Sequence, residues 1–177
     1  INAGTLWAAS DANLGAAGTG ITFNGSGGLS CGNNVSSTTV NLGSRPIAIN
    51  NGAVAGLYHN WADTTITTTG AVTGDGGINW GRDPVVTYGG GSGSVVLNLN
   101  SPGNNFTGPI TVGMGTENAQ GGNSQFNFSS LADSTSPITF NFNGGTVYFS
   151  YNASGPTANL SLTSRPINLL NSNATFR

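Results

Sequence analysis

Short segments in which apolar and polar residues alternate occur along most of the chain. Ile21-Thr22-Phe23, the run from Val95 to Asn100 and the run from Ile138 to Phe142 place apolar side chains at every second position. A period of two is typical of a β-strand that buries one face. No stretch has the 3.6-residue apolar period of an amphipathic helix. The pattern therefore predicts an all-β chain of short strands.

Corners rich in Gly, Asn, Ser and Pro separate these strands, and the chain contains 29 glycines. One such corner is Gly43-Ser44-Arg45-Pro46. Because Pro46 has no N–H and biases Arg45 toward extended geometry, it suits a corner or the first residue of a strand. Short strands joined in this way are compatible with a sandwich or barrel and also with a solenoid.

A long internal repeat favours the solenoid. Residues 21–49 match residues 138–169, because both copies open with Ile-Thr-Phe-Asn and close with Ser-Arg-Pro-Ile. In a solenoid each coil stacks on the previous one, and apolar side chains fill the inside. We therefore predict that residues 1–177 form a single β-solenoid segment, about one and a half copies of the long repeat. We expect about seven or eight coils of about 20–25 residues, with Asn and Thr ladders on corners and outer faces.

Charge is scarce, and this limits the possible partners. Only 6% of the residues are charged, there are four Arg and no Lys, and the net charge is −2. We expect no nucleic-acid partner, because no cationic surface exists to displace counterions from phosphates. The longest apolar run, residues 53–58, is too short to cross a bilayer, so we predict no membrane insertion of this segment.

The middle of the chain resembles a known repeat family. The runs TTTGAVTGDGGI from Thr67, GSVVLNL from Gly93 and NNFTGPITV from Asn104, followed by Gly115-Thr116, are similar to the autotransporter-associated β-strand repeat of bacterial surface proteins. Phe106 stands where the family usually has Tyr, and Glu117 where it has Leu. The resemblance implies a right-handed parallel β-helix, exposed on or secreted from a Gram-negative-type cell. It implies no activity.

Candidate catalytic groups are few. Asp63, Asp75 and Asp83 could supply the carboxylates of a carbohydrate-active enzyme, but turn formation and a surface ion pair are the favoured interpretation. His59 is the only histidine, and no nucleophile elbow accompanies it. One His and the single Cys31, expected to be a half-buried strand residue, cannot form a structural zinc site. We predict no catalytic residue, no metal and no cofactor.

Aromatic residues are the candidate ligand-binding groups. Tyr58, Trp61 and Trp80, together with Trp7, could form an exposed platform for sugar rings. Burial at coil ends and under loops is the favoured alternative for them.

The Arg-Pro pairs occupy equivalent positions in the two repeat copies. These pairs are Arg45-Pro46 and Arg165-Pro166. We predict that each guanidinium has a structural role and donates hydrogen bonds to the carbonyl groups of a corner.

The favoured function is structural. We expect an extracellular stalk or fibre segment whose open ends associate with neighbouring coils or with copies of itself end to end. An adhesin or glycan-binding module is the alternative, and a carbohydrate-active enzyme ranks third.

Overall fold

The computed structural model describes residues 1–32, 38–60, 64–84, 95–113, 124–132, 134–141, 146–151, 164–170 and 173–176. Their strands are β1 (Thr5–Ala8), β2 (Ile21–Phe23), β3 (Gly27–Cys31), β4 (Thr38–Asn41), β5 (Ile47–Ile49), β6 (Val54–His59), β7 (Thr64–Thr68), β8 (Val72–Gly74), β9 (Gly77–Arg82), β10 (Val96–Leu99), β11 (Ile110–Val112), β12 (Ser124–Phe128), β13 (Ile138–Asn141), β14 (Thr146–Tyr151), β15 (Ile167–Leu170) and β16 (Asn173–Phe176). A single 3-10 turn, Asp11–Leu14, is the only helical element in these ranges. None of the described residues belongs to a helix with the length and hydrophobicity of a membrane span.

The strands form three parallel sheets. The seven-stranded sheet has the order β1-β3-β6-β9-β11-β13-β15, the six-stranded sheet β16-β14-β12-β10-β7-β4, and the three-stranded sheet β2-β5-β8. Each strand pairs with the strand one turn later, so the sequence separation of paired residues gives the length of a turn. This separation is 23 residues between Thr5 and Gly28 and 32 residues between Trp80 and Val112. This topology confirms the predicted β-solenoid, although several turns are longer than expected.

Apolar columns fill the inside of the solenoid. In the seven-stranded sheet one residue from each strand stands in direct register with the next, in the column Leu6, Leu29, Leu57, Trp80, Val112, Phe140 and Leu169. The five inner members are buried, whereas the first and last are exposed. Burial therefore comes from the turns above and below, as in other solenoids.

Aromatic rings thicken the core of the six-stranded sheet. Phe126 and Phe149 are register partners, and their rings stack with centroids 5.4 Å apart. The ring of Phe140, from the seven-stranded sheet, meets Phe149 edge to face at 5.5 Å. Contacts of this geometry stabilise a core beyond the area they bury, so these rings join the two sheets.

Polar side chains form ladders between turns. The Asn98 amide donates to Thr67 Oγ1 at 3.0 Å, and the Asn127 amide donates to Asn98 Oδ1 at 2.8 Å. At a corner, the Asn50 amide donates to Asn24 Oδ1 at 3.1 Å. These are stacked ladders of the type that the Asn-rich composition predicts.

A proline-isoleucine pair opens four of the strands. The carbonyl group of each proline accepts a hydrogen bond from the backbone N–H of an isoleucine one turn earlier, at 2.8 to 3.0 Å; the prolines are Pro46, Pro109, Pro137 and Pro166. Proline has a carbonyl group to offer but no N–H. It therefore fits at the corner where each strand begins.

The two copies of the sequence repeat have the same pairing but lie in different sheets. In each copy the Ile-Thr-Phe segment pairs with the segment that follows Arg-Pro, with Ile21 beside Ile47 and Ile138 beside Ile167. The first pair belongs to the three-stranded sheet and the second to the seven-stranded sheet. Each matching segment thus spans about one turn of the solenoid, and the two segments contribute strands to different sheets.

Candidate functional site

The three aromatic residues predicted to bind a ligand do not come together as one platform. Trp80 is completely buried, because it belongs to the interior column between Leu57 and Val112. Trp61 lies outside the described residues. Tyr58 remains as a candidate, since its side chain lies on the outer face of the seven-stranded sheet beside two glycines. Trp80 therefore cannot offer its ring to an external ligand.

An outer groove beside Tyr58 is the concave feature of this face. Its volume is about 240 Å³, with Gly27 and Gly28 among its lining residues and the side chains of Thr5, Tyr58 and Asn79 around it. Thr5, Gly28, Gly56 and Asn79 are register partners on four successive strands, so the outer groove spans four turns. None of the described residues that line it carries a charge.

Glycine at two positions allows the Tyr58 ring to lie on the sheet. A Cβ atom on Gly28 would lie 2.5 Å from Tyr58 Cε2, and one on Gly56 would overlap the ring directly. The ring therefore rests on bare backbone, and 9% of Tyr58 is exposed. Burial, followed by the negative charge of Asp83, raises the pKa of Tyr58 above its usual value. The phenol consequently stays neutral and remains a hydrogen-bond donor.

A second aromatic residue, Trp7, lies on the same outer face. It is in register with Ser30, which is in register with Tyr58. Trp7 is 57% exposed, and its indole N–H donates to the Gly32 carbonyl at 2.8 Å. That hydrogen bond holds one edge of the indole, so the ring is oriented while its surface stays accessible.

The candidate carboxylates are separated. Asp75 lies at the corner before β9, where its Oδ1 accepts from the Gly52 N–H at 3.1 Å, and Asp83 follows the other end of this strand and is buried. A six-residue strand is about 20 Å long, so these two carboxylates do not form a pair. Asp63 lies outside the described residues.

His59 and Cys31 are neighbours in the interior. They are register partners, both are buried, and the His59 ring lies 5.5 Å from that of Trp80. Burial raises the pKa of the Cys31 thiol to about 12, so the thiolate needed for nucleophilic or metal chemistry is disfavoured. Within the described ranges, no three His, Cys, Asp or Glu residues are grouped as metal ligands would be.

Arg45 anchors the segment that follows β1. Its side chain is 1% exposed, and Nε forms an ion pair with Asp11 Oδ1 at 2.8 Å. The remaining guanidinium nitrogens donate to the carbonyl groups of Leu14, Gly15 and Thr19. One buried arginine therefore holds residues 11–19 against the second turn.

Arg165 binds carbonyl groups from two earlier turns. Its Nε donates to Ala132, while the other nitrogens donate to Phe106, Gly108 and Ser136, at 3.0 to 3.2 Å. Arg165 is 4% exposed, and the bonds to Phe106 and Gly108 are fully buried. Both arginines thus contact corner carbonyls, and the following residues, Pro46 and Pro166, pair with the turn before.

The two terminal strands of the seven-stranded sheet expose apolar side chains. Leu6 is 46% exposed on β1, and Ile167, Leu169 and Leu170 are 44%, 53% and 48% exposed on β15. Leu6 and Leu169 are the two ends of the interior column. Each of these two leucines therefore has one exposed side, which a further turn of the solenoid would cover.

The N-terminal end is less open than the sequence suggests. After β1, the 3-10 turn Asp11–Leu14 takes the place along the chain where later turns have a strand of the six-stranded sheet. Leu14 packs against the core from this turn. At this end, therefore, β1 is the edge of the seven-stranded sheet and β4 the edge of the six-stranded sheet, and the 3-10 turn precedes β4 along the chain.

No protein-family model matches the chain, and neither a curated protein nor a solved structure matches it. The resemblance to autotransporter-associated repeats stays a prediction from the sequence.

Proposed function

We propose that this β-solenoid is a structural segment of an extracellular or cell-surface stalk or fibre of a Gram-negative-type bacterium. The segment would serve as a spacer, because each turn adds one rung along the solenoid axis and so lengthens the stalk. The proposal assigns no catalytic activity to the segment. Its partners would be neighbouring coils or further copies of the chain, stacked end to end.

The observation that carries this proposal is the interior column that ends in exposed leucines. Leu6 and Leu169 continue the same column as the buried Leu29 and Phe140. An unpaired strand edge with apolar side chains is a template for another strand. A contact between the two different ends is heterologous, and such contacts form open filaments when the rotation does not close.

The association state of the chain tests the proposal. We expect concentration-dependent growth in light scattering after size exclusion, with elongated particles in electron microscopy. Leu169→Asp should leave monomers, because a carboxylate in the stacking surface would have to be desolvated. Thr107→Asp is the matched control, since this exposed residue lies between β10 and β11, which are inner strands of their sheets. Monodisperse single particles of the unmodified chain at high concentration would refute end-to-end stacking.

Adhesion to glycans is the second candidate function. The outer groove beside Tyr58 favours it, because neutral polar groups and an aromatic ring converge there. Such an adhesin would use the solenoid as its scaffold.

A further inference from the structure

We propose that the outer groove is a binding site for a neutral saccharide, with Asn79 and Thr5 as the hydrogen-bonding groups and Tyr58 as the apolar wall. This inference rests on the second candidate function and assigns it a location and a ligand class.

The chemistry of the lining selects a neutral polyhydroxyl ligand. The Asn79 amide can donate and accept, and the Thr5 and Ser26 hydroxyls can do both. Saccharide hydroxyl groups need this mixture, whereas a carboxylate or phosphate needs cationic donors. The described lining residues carry none. Only 9% of Tyr58 is exposed, so it offers a sugar ring an apolar edge rather than its full aromatic face.

The shape of the outer groove favours a short saccharide. About 240 Å³ lies below the usual range of about 300–1,000 Å³ for drug-sized ligands. The Cβ position of Gly28 is filled by the Tyr58 ring and the Thr5 hydroxyl, and that of Gly27 by Ile1 and Gly4, so a ligand would contact side chains rather than glycine backbone. We therefore expect the outer groove to hold one or two sugar units of a longer chain, bound weakly at each site.

The binding site is preorganised by packing rather than by a mobile loop. Tyr58 lies against the backbones of Gly28 and Gly56, and Ser26 Oγ already accepts from the Val54 N–H at 3.2 Å. Because Tyr58 and Ser26 are already held, binding would mainly have to order Thr5 and Asn79, and a smaller ordering cost favours affinity. Asn79 and Thr5 lie on β9 and β1, so they are positioned by strand register rather than by a corner.

The test is an NMR titration of the ¹⁵N-labelled chain with neutral trisaccharides of glucose, galactose, mannose and N-acetylglucosamine. At least one should shift the amide signals of Gly27, Gly28 and Asn79. Asn79→Ala should weaken binding about two- to tenfold, the loss expected for about one hydrogen bond. Thr111→Ala is the matched control, because Thr111 is the register partner of Asn79 one turn later but does not line the outer groove.

The possible outcomes distinguish a failure of the outer groove as a binding site from a failure of glycan adhesion or of the stalk. No shift with any of the four sugars would overturn both the site and glycan adhesion. Shifts confined to signals around Trp7 would keep adhesion and overturn the outer groove as its location. Unchanged affinity in Asn79→Ala would also overturn the site. Light scattering on the same samples reports independently on the stalk proposal.

Discussion

The two repeat-equivalent arginines should differ in their contribution to stability, although both stand in the sequence Ser-Arg-Pro-Ile. We consider Arg45→Met and Arg165→Met, which keep most of the aliphatic stem and remove the guanidinium. Both side chains are buried, at 1% and 4% exposure, and each forms at least four hydrogen bonds within the described chain. The two sites differ in how accessible to water the acceptor groups become once the guanidinium is removed.

The acceptors of Arg45 can recover water when the guanidinium is removed. Asp11 is 27% exposed, and Gly15 and Thr19 are exposed residues. The substitution therefore costs mainly the net value of the bonds to the charged group, up to about 1.5–3 kcal/mol for each bond, and Arg165→Met shares this loss because it removes bonds of the same kind. The segment 11–19 should also exchange its amide hydrogens faster, because it loses its anchor.

The acceptors of Arg165 include two that cannot recover water. The hydrogen bonds to the Phe106 and Gly108 carbonyl groups are buried. Each buried acceptor left unsatisfied costs about 1–3 kcal/mol, so the loss in Arg165→Met reaches about 2–6 kcal/mol from these two groups alone. We therefore expect the free energy of unfolding to fall further in Arg165→Met than in Arg45→Met.

The assay is urea unfolding followed by circular dichroism, with the m-value compared between variants. Arg→Lys at both positions serves as the control, since Lys keeps the charge but lacks the planar fork that binds several carbonyl groups. Both Lys variants should lie between the wild type and the Met variants. A cost for Arg165→Met equal to or below that for Arg45→Met would refute the reasoning from acceptor burial.

Three further predictions concern the core, the cysteine and the ladders. Phe140→Ala should lower the free energy of unfolding by about 3–5 kcal/mol in chemical denaturation, because this buried ring meets Phe149 edge to face; a loss below 1 kcal/mol would contradict the packing. Cys31 should resist iodoacetamide in the folded chain and react in urea, and rapid alkylation of the folded chain would contradict its burial. Because the folded pKa of the Cys31 thiol, about 12, exceeds the unfolded value of 9.0, its contribution to stability is complete below pH 9 and is lost as the pH rises from 9 toward 12. Asn98→Ala should lower the free energy of unfolding by about 1–2 kcal/mol, since two ladder bonds disappear. The same change at the exposed Asn13 should lower it less, because Asn13 forms only local turn bonds with Ser10.

Parts of the fold were readable from the sequence because the local pattern and the final environment agree. In β9, Ile78 and Trp80 alternate with Asn79 and Gly81, and the two apolar residues lie inside. The same alternation indicates that Trp80 is a core residue, and this indication is stronger than the general tendency of aromatic rings to bind sugars. By contrast, residues 53–58 are apolar at nearly every position, so no alternation indicated that Tyr58 points outward.

The outer groove could not be derived from the sequence. Thr5, Gly28 and Asn79 meet only because the intervening turns place them in register with Gly56. Tyr58 lies two residues further along β6, and its ring reaches back over Gly28 and Gly56. Turn length varies from 23 residues after Thr5 to 32 after Trp80, and corner residues absorb the difference. A shift of one residue would move every side chain of a strand to the opposite face.

The all-β class could be read from the alternating strands, and the internal repeat favoured a solenoid over a sandwich or barrel, because repeated segments bury their apolar faces by stacking on one another. The stacking of the turns was needed to place Tyr58 on the outer face and to bring the two arginines to their carbonyl groups. The physical reason is that these features depend on stacking between residues about one turn apart. Local preference along the chain carries no information on that register.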